Sequence, residues 1–206
     1  MIAVERIGIP RLLAIPEFQA MTGVAFIPEL DFESVSFAQK IAAKIRKVHA
    51  KGKLPREQLW RGSYYKNEIQ TLFFPKTTIR WIDDAIGWGV FSAKAFKKGE
   101  FVAEYSGKVR KRTRKDAKNA YCFEYALTSN IRMPYLIDAQ DQGGIARFIN
   151  HSSRPNLCPM LVTFNWVNHV ILVAKEDIRE GIQICFDYGA DYWSSRRTVP
   201  KNLIFV

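Results

Sequence analysis

Residues 147 to 156 read Arg-Phe-Ile-Asn-His-Ser-Ser-Arg-Pro-Asn and are the most informative stretch of the chain. It places several hydrogen-bonding side chains beside apolar residues that would hold them in a buried position. Asn150 and His151 can present an amide and an imidazole to the edge of a purine. Taken by itself, however, the stretch fits an Asx-rich loop with a satisfied histidine better than a binding site. Its meaning therefore depends on the sequence around it.

Three other stretches combine flexible or aromatic residues in ways that suit a ligand site. Gly87-Trp88-Gly89 allows the backbone to approach a ligand closely while the indole covers it. Tyr105-Ser106-Gly107 follows an apolar strand, and residues 184–189 form a strand whose Tyr188 stands where the chain must turn. Each signal is weak alone, because a Gly-x-Gly triplet is commonly a turn and a tyrosine at a strand end is usually structural.

The four stretches, in this order, resemble the signature of the SET-domain protein lysine methyltransferases. The motifs are Gly-x-Gly near 87, Glu-Tyr-x-Gly near 104, Arg-Phe-x-Asn-His-Ser-x-x-Pro-Asn near 147 and Phe-Asp-Tyr near 186. The third motif is the most specific. The resemblance covers residues 80 to about 193, and residues 135–139 are similar to the family's strand before the third motif.

The resemblance implies a mainly β chain with the SET, or β-clip, fold. This fold has small curled sheets and a pseudoknot near the C-terminus, in which the third and fourth motifs are threaded. The chain would then comprise a partly helical N-terminal region (residues 1–79), a SET catalytic domain (80–193) and a C-terminal tail (194–206). A variable insert is expected at about 108–133.

The resemblance also implies that S-adenosyl-L-methionine is the cofactor and that a substrate lysine enters from the opposite face. Tyr188 is then the principal catalytic residue with Tyr105 as its partner, and Phe186 implies capacity for more than one methyl. The residues expected to line the lysine channel are Tyr105, Phe186 and Tyr188. Those expected to line the cofactor cleft are Gly87, Trp88, Gly89, Tyr121, Arg147, Phe148, Asn150, His151 and Trp193.

The chain departs from many members of that family in its cysteines. Ser153 stands where many carry cysteine, and no cysteine-rich segment precedes residue 80 or follows Trp193. The sequence therefore predicts no metal site, and the cleft would be closed by Trp193 or by the apolar residues 203–206. In these respects the chain resembles compact, zinc-free SET proteins, including bacterial ones.

Periodicity outside the motifs predicts one helix in the N-terminal region. Apolar residues from Phe37 to Val48 recur at helical spacing, which indicates an amphipathic helix at about 31–52. Residues 1–30 are interrupted by prolines, Pro16 among them, and indicate short extended pieces rather than a helix. Residues 1–79 have three interpretations: an interface of a homodimer, a substrate arm or a brace for the catalytic domain.

Further strands are predicted toward the C-terminus from alternating or continuous apolar runs. The predicted strands cover residues 101–105, 135–139, 160–167, 170–175 and 182–186. Asn168-His169 is the predicted tight turn of a hairpin between the third and fourth of these strands.

Composition indicates a folded, basic protein. With 206 residues and 48% apolar content, the chain is able to bury a full core. Its formal charge of +11 and pI near 9.7 predict attraction to acidic partners such as nucleic acid. Three widely spaced cysteines fit neither a disulfide framework nor a zinc site, which favours a reducing, intracellular compartment. The prolines and Glu5 argue against a signal peptide, so a soluble protein is expected.

The basic run at 108–115 lies in the expected insert and bears on the substrate. A strongly basic enzyme would repel a free histone tail unless DNA supplies the attraction. The sequence therefore favours a histone or another basic, DNA-associated protein, with DNA contact through the basic surface and no membrane partner. The protein would act in the nucleus at chromatin, or as a bacterial effector delivered to a host.

Two other classes of function remain open at this point. One is a non-catalytic SET-like module that binds peptide or nucleic acid, against which the intact Tyr105, Asn150, His151 and Tyr188 argue. The other is a Cys-His hydrolase that uses Cys185 and His151, for which one cysteine within a strand gives poor support.

Overall fold

The computed structural model describes residues 1–71 and 76–194, which form four small sheets and several helices. The mainly β fold implied by the sequence is confirmed. The strands are β1 Ile2–Arg6, β2 Ile9–Leu13, β3 Ala25–Phe26, β4 Asp31–Phe32, β5 Thr77–Asp83, β6 Gly87–Ser92, β7 Phe101–Glu104, β8 Lys108–Lys111, β9 Cys122–Tyr125, β10 Tyr135–Asp138, β11 Gln142–Gly143, β12 Asn150–His151, β13 Leu157–Phe164, β14 Val167–Ala174 and β15 Gln183–Phe186. The helices are α1 Ile15–Thr22, α2 Val35–Ala50, α3 Arg56–Tyr64, α4 Lys66–Gln70 and α5 Ala190–Ser194.

The sheets are arranged so that distant segments of chain meet. The strand orders are β12-β15-β6-β5-β1-β2, β4-β8-β10-β9, β13-β14-β7 and β11-β3. In the largest sheet, β12 pairs in parallel with β15, which sets Asn150 opposite Cys185 and His151 opposite Phe186. The third and fourth sequence motifs are therefore side by side in the fold.

The hairpin between β13 and β14 turns at a different place from the predicted one. Asn165 and Trp166 carry the positive φ angles, 48° and 63°, that a two-residue hairpin turn requires. Asn168 lies instead inside β14, fully buried, and its amide donates to the carbonyls of Ala126 and Leu127 at 2.7 and 2.9 Å. The predicted turn at Asn168-His169 was wrong because Asn168 is a buried hydrogen-bonding residue and not a turn former.

The N-terminal region contains more helix than its sequence indicated. Helix α2 occupies most of the predicted span and begins at a Ser34 cap, whose hydroxyl accepts from the Phe37 N–H at 3.1 Å. The prediction of extended pieces in residues 1–30 was wrong at α1. Pro16 lies in the first turn of this helix, where a backbone N–H has no intrahelical acceptor, so its absence costs no hydrogen bond. Helices α3 and α4 were also not predicted.

Contacts with the β sheets support the brace among the three interpretations of residues 1–79. Strand β1 extends the largest sheet as the parallel neighbour of β5, and β4 pairs in parallel with β8. The Phe18 ring is fully buried and meets the Phe148 ring edge-on at 5.6 Å. Helix α3 packs so closely on β13 that a side-chain carbon on Gly62 would lie 1.9 Å from the Thr163 carbonyl oxygen.

Within the described parts of the chain, no helix is both long enough and apolar enough to cross a membrane.

Candidate functional site

The parallel pairing of β12 with β15 builds the centre of the site. The Tyr188 N–H donates to His151 Nδ1 at 3.2 Å, and the two rings are 5.4 Å apart. Because Nδ1 accepts this bond, the neutral His151 ring carries its proton on Nε2. The Asn150 amide donates to the Trp88 carbonyl at 3.2 Å, which joins the first motif to the third.

A cleft of about 530 Å³ opens on one side of this centre. This volume falls within the range of sites that hold small molecules and cofactors. The cleft is lined by Ala85, Ile86, Gly87, Trp88, Ala120, Tyr121, Arg147, Phe148, Asn150, His151, Tyr188, Tyr192 and Trp193. The structure thus brings together all of the expected cleft residues except Gly89.

Gly87 and Gly89 have different roles in the structure. Gly87 has a φ of +77°, a conformation that favours glycine, and it lines the cleft where β6 begins. Gly89 lies behind the cleft wall, where a side-chain carbon would fall 2.6 Å from Ile82 Cδ1 and 3.1 Å from Asn150 Nδ2. Its small size therefore serves packing behind Asn150.

Trp193 forms the end wall of the cleft. Its ring meets His151 edge-on at 4.8 Å and lies nearly parallel to the Tyr188 ring, at 10° and 6.3 Å. The Trp193 Nε1 atom is buried and has no hydrogen-bond partner among the described residues. A buried indole N–H normally has a partner, so this wall suits a ligand that brings an acceptor. Residues 203–206, the other candidates for closing the cleft, lie outside the described residues.

Arg147 is fixed between the cleft and the next cavity. Its Nε donates to the Ala139 carbonyl at 2.7 Å, and its guanidinium lies 4.2 Å from the centre of the Tyr121 ring. Burial lowers the pKa of Arg147 from its ordinary value, although an arginine remains charged at neutral pH. The group therefore presents a fixed positive charge to the cleft.

A narrow channel of about 40 Å³ leads from the cleft. Its walls include the three expected channel residues, Tyr105, Phe186 and Tyr188, together with Phe123 and Tyr192. The Phe186 and Tyr188 rings are 4.8 Å apart, and the Tyr105 and Phe123 rings are 5.2 Å apart. Such a channel admits a slender, unbranched chain and excludes bulk water.

The two channel tyrosines are held as neutral phenols. The Tyr188 hydroxyl donates to the Ile149 carbonyl at 2.7 Å, and the Tyr105 hydroxyl donates to the Tyr121 carbonyl at 2.9 Å. Burial raises the pKa of each phenol well above its ordinary value. Because each proton is already directed at a carbonyl, the oxygen lone pairs are left to accept a hydrogen bond.

A second large cavity lies at the opposite end of the channel. This groove has a volume of about 530 Å³ and shares Cys122, Phe123, Tyr188 and Tyr192 with the channel. The channel therefore shares wall residues with both the cleft and the groove. This arrangement suits a reaction between two ligands that enter from opposite faces.

The thiols do not support a Cys-His hydrolase. Burial raises the pKa of Cys185 to about 12, which leaves the thiol protonated at neutral pH. His151 Nδ1 is already engaged by the Tyr188 N–H. Among the described residues, no group of three or more His, Cys, Asp or Glu side chains is placed to hold a metal ion.

Comparison with known families decides the identity of the fold. The SET domain matches residues 87–189, which is half of the chain. The chain belongs to the SET-domain family. The residues matched include all of the walls of the cleft, channel and groove named above except Ala85, Ile86, Tyr192 and Trp193.

Curated relatives are lysine methyltransferases that are much longer than the matched segment. The chain is 37% identical over 123 residues to N-lysine methyltransferase KMT5A of Xenopus tropicalis, covering 55% of this chain and 36% of that protein. It is 34% identical over 114 residues to histone-lysine N-methyltransferase Su(var)3-9 of Drosophila melanogaster, covering 50% of this chain and 18% of that one. The chain thus spans well under half the length of these relatives.

This chain is also similar to a solved structure of ctPRC2 in an autoinhibited conformation bound to S-adenosylmethionine. The identity is 25%, the TM-score is 0.51, and the match covers 62% of this chain and 17% of that chain.

Tyr192 is one of the site residues that sequence reasoning missed. It lines the cleft, the channel and the groove, and its ring meets Tyr188 edge-on at 4.7 Å. The signal was present in the sequence, since Tyr192 directly precedes Trp193 and follows Tyr188 by four residues. Helix α5 begins at Ala190 and so carries Tyr192 to the channel and Trp193 to the wall of the cleft.

Protonation of His151 is expected to lower the stability of the SET domain. Burial lowers the pKa of His151 although Asp187, 3.6 Å from Nδ1, opposes the shift. The unfolded chain then binds this proton more readily, so stability is present above pH ~6.5 and is lost as the pH falls below it. Melting temperatures between pH 7.5 and 5.5 should fall less steeply in His151→Gln than in the wild type. Equal slopes would contradict this role.

Proposed function

We propose that this protein is an S-adenosylmethionine-dependent protein-lysine N-methyltransferase. The observation that carries the proposal is the aromatic channel between two larger cavities, since a methyl donor and a peptide can meet there without sharing a cavity. The names of the relatives support the same chemistry. A non-catalytic peptide-binding module would not need the buried Tyr105 and Tyr188 hydroxyls to face such a passage.

The cleft fits this donor by its chemistry as well as by its volume. Trp88, Phe148 and Trp193 offer apolar surface to an adenine, and the unpartnered Trp193 Nε1 offers it a donor. The guanidinium of Arg147 would attract the donor's carboxylate. S-adenosylmethionine would supply an electrophilic methyl group on a sulfonium, and no metal is required for its transfer.

The channel residues address the main obstacle, which is that lysine is protonated at neutral pH. Removing the proton from a lysine of pKa ~10.4 at pH 7 costs about 4 to 5 kcal/mol. The channel lowers this cost because aromatic walls strip water from the ammonium and disfavour its charged form. A positive sulfonium across the channel would disfavour it further.

Tyr188 then acts by orientation and not as a base. Its phenol remains protonated, and its proton is directed at the Ile149 carbonyl, so its oxygen accepts a hydrogen bond from the neutral amine. Tyr105 presents a second oxygen of the same kind. Together they would point the amine lone pair along the channel for an in-line displacement. Phe186 presents no hydroxyl, which supports the proposal that more than one methyl is transferred.

For the substrate, we favour a histone or another basic protein that is bound to DNA. The charge of +11 supports this choice, because DNA would attract the enzyme to its substrate. The protein would then work inside a cell, at chromatin in a nucleus or as a bacterial effector in a host. A homodimer formed through residues 1–79 stays a prediction.

Mass spectrometry with a labelled donor tests the proposed function. The protein is incubated with S-adenosylmethionine carrying a deuterated methyl group and with histones, nucleosomes and bacterial DNA-binding proteins. We expect labelled lysine, and we expect transfer to nucleosomes to fall more steeply with salt than transfer to free histone peptides. Label on no lysine would remove the proposed activity, and equal salt dependence would remove the DNA contact.

Loss of the Trp193 ring is expected to weaken donor binding. If the ring packs on the adenine, Trp193→Ala should raise the dissociation constant of S-adenosylhomocysteine about tenfold, the effect of roughly 1.4 kcal/mol of aromatic contact. Calorimetry measures this constant directly. Trp60→Ala is the matched control, since Trp60 is an exposed tryptophan on α3. An unchanged constant in Trp193→Ala would reject the role.

A further inference from the structure

The charge of the groove indicates what surrounds the target lysine. The groove lies at the opposite end of the channel from the cleft, and its apolar floor includes Phe123 and Leu136. Four charged residues line it: Arg112, Arg114, Asp116 and Glu124. Whether these charges are already neutralised by neighbours determines which kind of segment the groove attracts.

The first anion of the groove, Asp116, is engaged within the protein. Its carboxylate accepts from Arg110 Nη2 at 2.6 Å and from Arg110 Nη1 at 3.1 Å, and also from the Thr113 N–H. The hydrogen bonds from Arg110 hold the pKa of Asp116 at about 2, and its side chain is only 9% exposed. Arg110 Nη2 also lies 2.7 Å from Asp138 Oδ2, and the Asp138 side chain is likewise mostly buried. These anions are therefore turned inward and are poorly placed to meet a ligand.

The second anion, Glu124, also has an internal partner. Its carboxylate lies 3.5 Å from Arg132 Nε. The pair is partly solvated, and the charge of Arg132 offsets that of Glu124 at the rim of the groove.

The cations of the groove have no such partners. Arg112 and Arg114 are exposed, and neither forms an ion pair with any described residue. Lys115 and Lys118 lie with Arg114 on a short helical turn, Arg114–Lys118. Both lysines are exposed, and neither forms an ion pair with any described residue. On the facing wall, the described lining residues Tyr188, Gly189 and Tyr192 are uncharged, and the nearest described anion is Asp187, which accepts from the Gly189 N–H at 2.9 Å. The cations Arg112, Arg114, Lys115 and Lys118 outnumber this single carboxylate, so the unpaired charge that a ligand would meet in the groove is mainly positive.

We propose that the groove selects a lysine flanked by aspartate or glutamate residues and disfavours one within a run of lysine and arginine. This inference rests on the proposed function only in taking lysine as the acceptor. Exposed charges interact over roughly 10 Å at 0.1 M salt, so residues two to four positions from the lysine lie within range of Arg112 and Arg114. A peptide fits better than a nucleic acid because the groove opens into a channel too narrow for a base.

A preference for acidic residues beside the target lysine is compatible with a DNA-bound substrate whose overall charge is basic. DNA would attract the enzyme through its remaining basic surface, while the segment presented to the groove would carry local acidic residues. A free histone tail, being basic on both sides of its lysines, would be repelled at the groove.

Peptide binding tests this selection without requiring turnover. Two fluorescent 11-residue peptides of the same neutral sequence, each with a central lysine, would carry glutamate or arginine at the second and third positions on both sides. Fluorescence anisotropy in the presence of S-adenosylhomocysteine should give about fivefold tighter binding of the glutamate peptide at low salt, and the difference should shrink as salt is added. Equal binding, or tighter binding of the arginine peptide, would overturn the inference.

Charge reversal assigns the effect to the groove. In the double variant R112E/R114E the preference should invert, whereas K51E/K53E, which makes the same charge change at the distant end of α2, should keep it. The same preference in both variants would overturn the assignment. If R112E/R114E weakened binding of a DNA oligonucleotide but not of the glutamate peptide, these arginines would belong to nucleic-acid binding. If the glutamate peptide bound as expected but was never methylated, the proposed function would fail while the charge selection stood.

Discussion

Replacing Tyr188 with phenylalanine is expected to abolish methyl transfer while leaving donor binding nearly intact. The change removes one oxygen, which now donates to the Ile149 carbonyl at 2.7 Å and can accept from the substrate amine. The ring stays, so the contacts with Phe186 and Trp193 that shape the channel remain. Removing one preorganised polar group from an active site typically costs 100-fold or more in rate, and we expect at least about that loss.

Single-turnover rates and calorimetry on the same protein measure the two effects separately. Tyr65→Phe is the matched control, because the Tyr65 hydroxyl also donates to a carbonyl, that of Gly99 at 2.7 Å, and also has a pKa raised by burial. Tyr65 lies away from the channel, so its variant should turn over at the wild-type rate. A Tyr188→Phe enzyme of near wild-type rate would remove Tyr188 from its catalytic role.

Replacing Gly62 with alanine is expected to be strongly destabilising in the N-terminal region. The added carbon would fall 1.9 Å from the Thr163 carbonyl oxygen and 2.5 Å from its carbon. Both atoms belong to the backbone of β13, so neither can rotate away, and α3 must move off the sheet. Overpacking of this kind costs about 3 kcal/mol, which we expect as the loss in the free energy of unfolding.

Urea unfolding at constant pH measures that loss. Ser63→Ala is the control, since Ser63 is exposed on the same helix and alanine is the better helix former there. The control should unfold at the same urea concentration as the wild type or slightly higher. If Gly62→Ala unfolded like the control, α3 would not be held against β13, and the brace interpretation of residues 1–79 would lose its main support.

The site could be predicted where a motif fixes both residue type and chain order. His151 and Tyr188 are 37 residues apart, and no local rule joins them, yet the ordered motifs anticipated their meeting and the pairing of β12 with β15 brings it about. The cleft and channel residues came from the same resemblance. Tyr192 was missed because it reaches the channel through the direction of α5, which no sequence period reports.

The fold was harder to predict where a residue has two uses. Pro16 interrupts an extended run but equally suits the first turn of a helix. Asparagine is common in turns, but the buried Asn168 amide instead donates hydrogen bonds to the carbonyls of Ala126 and Leu127 in a neighbouring segment. Gly62 weakens the helical signal of α3, although its lack of a side chain is what lets the helix approach β13. In each case tertiary contacts decided between two locally acceptable conformations.

A crystal structure with S-adenosylhomocysteine and a lysine peptide would show whether donor and substrate enter the channel from opposite ends. We expect the nucleoside in the cleft beside Trp88 and Trp193, the peptide in the groove, and the lysine amine in the channel between Tyr105 and Tyr188, directed at the sulfur. Both ligands on the same side of the channel, or a nucleoside bound away from His151, would contradict this expectation.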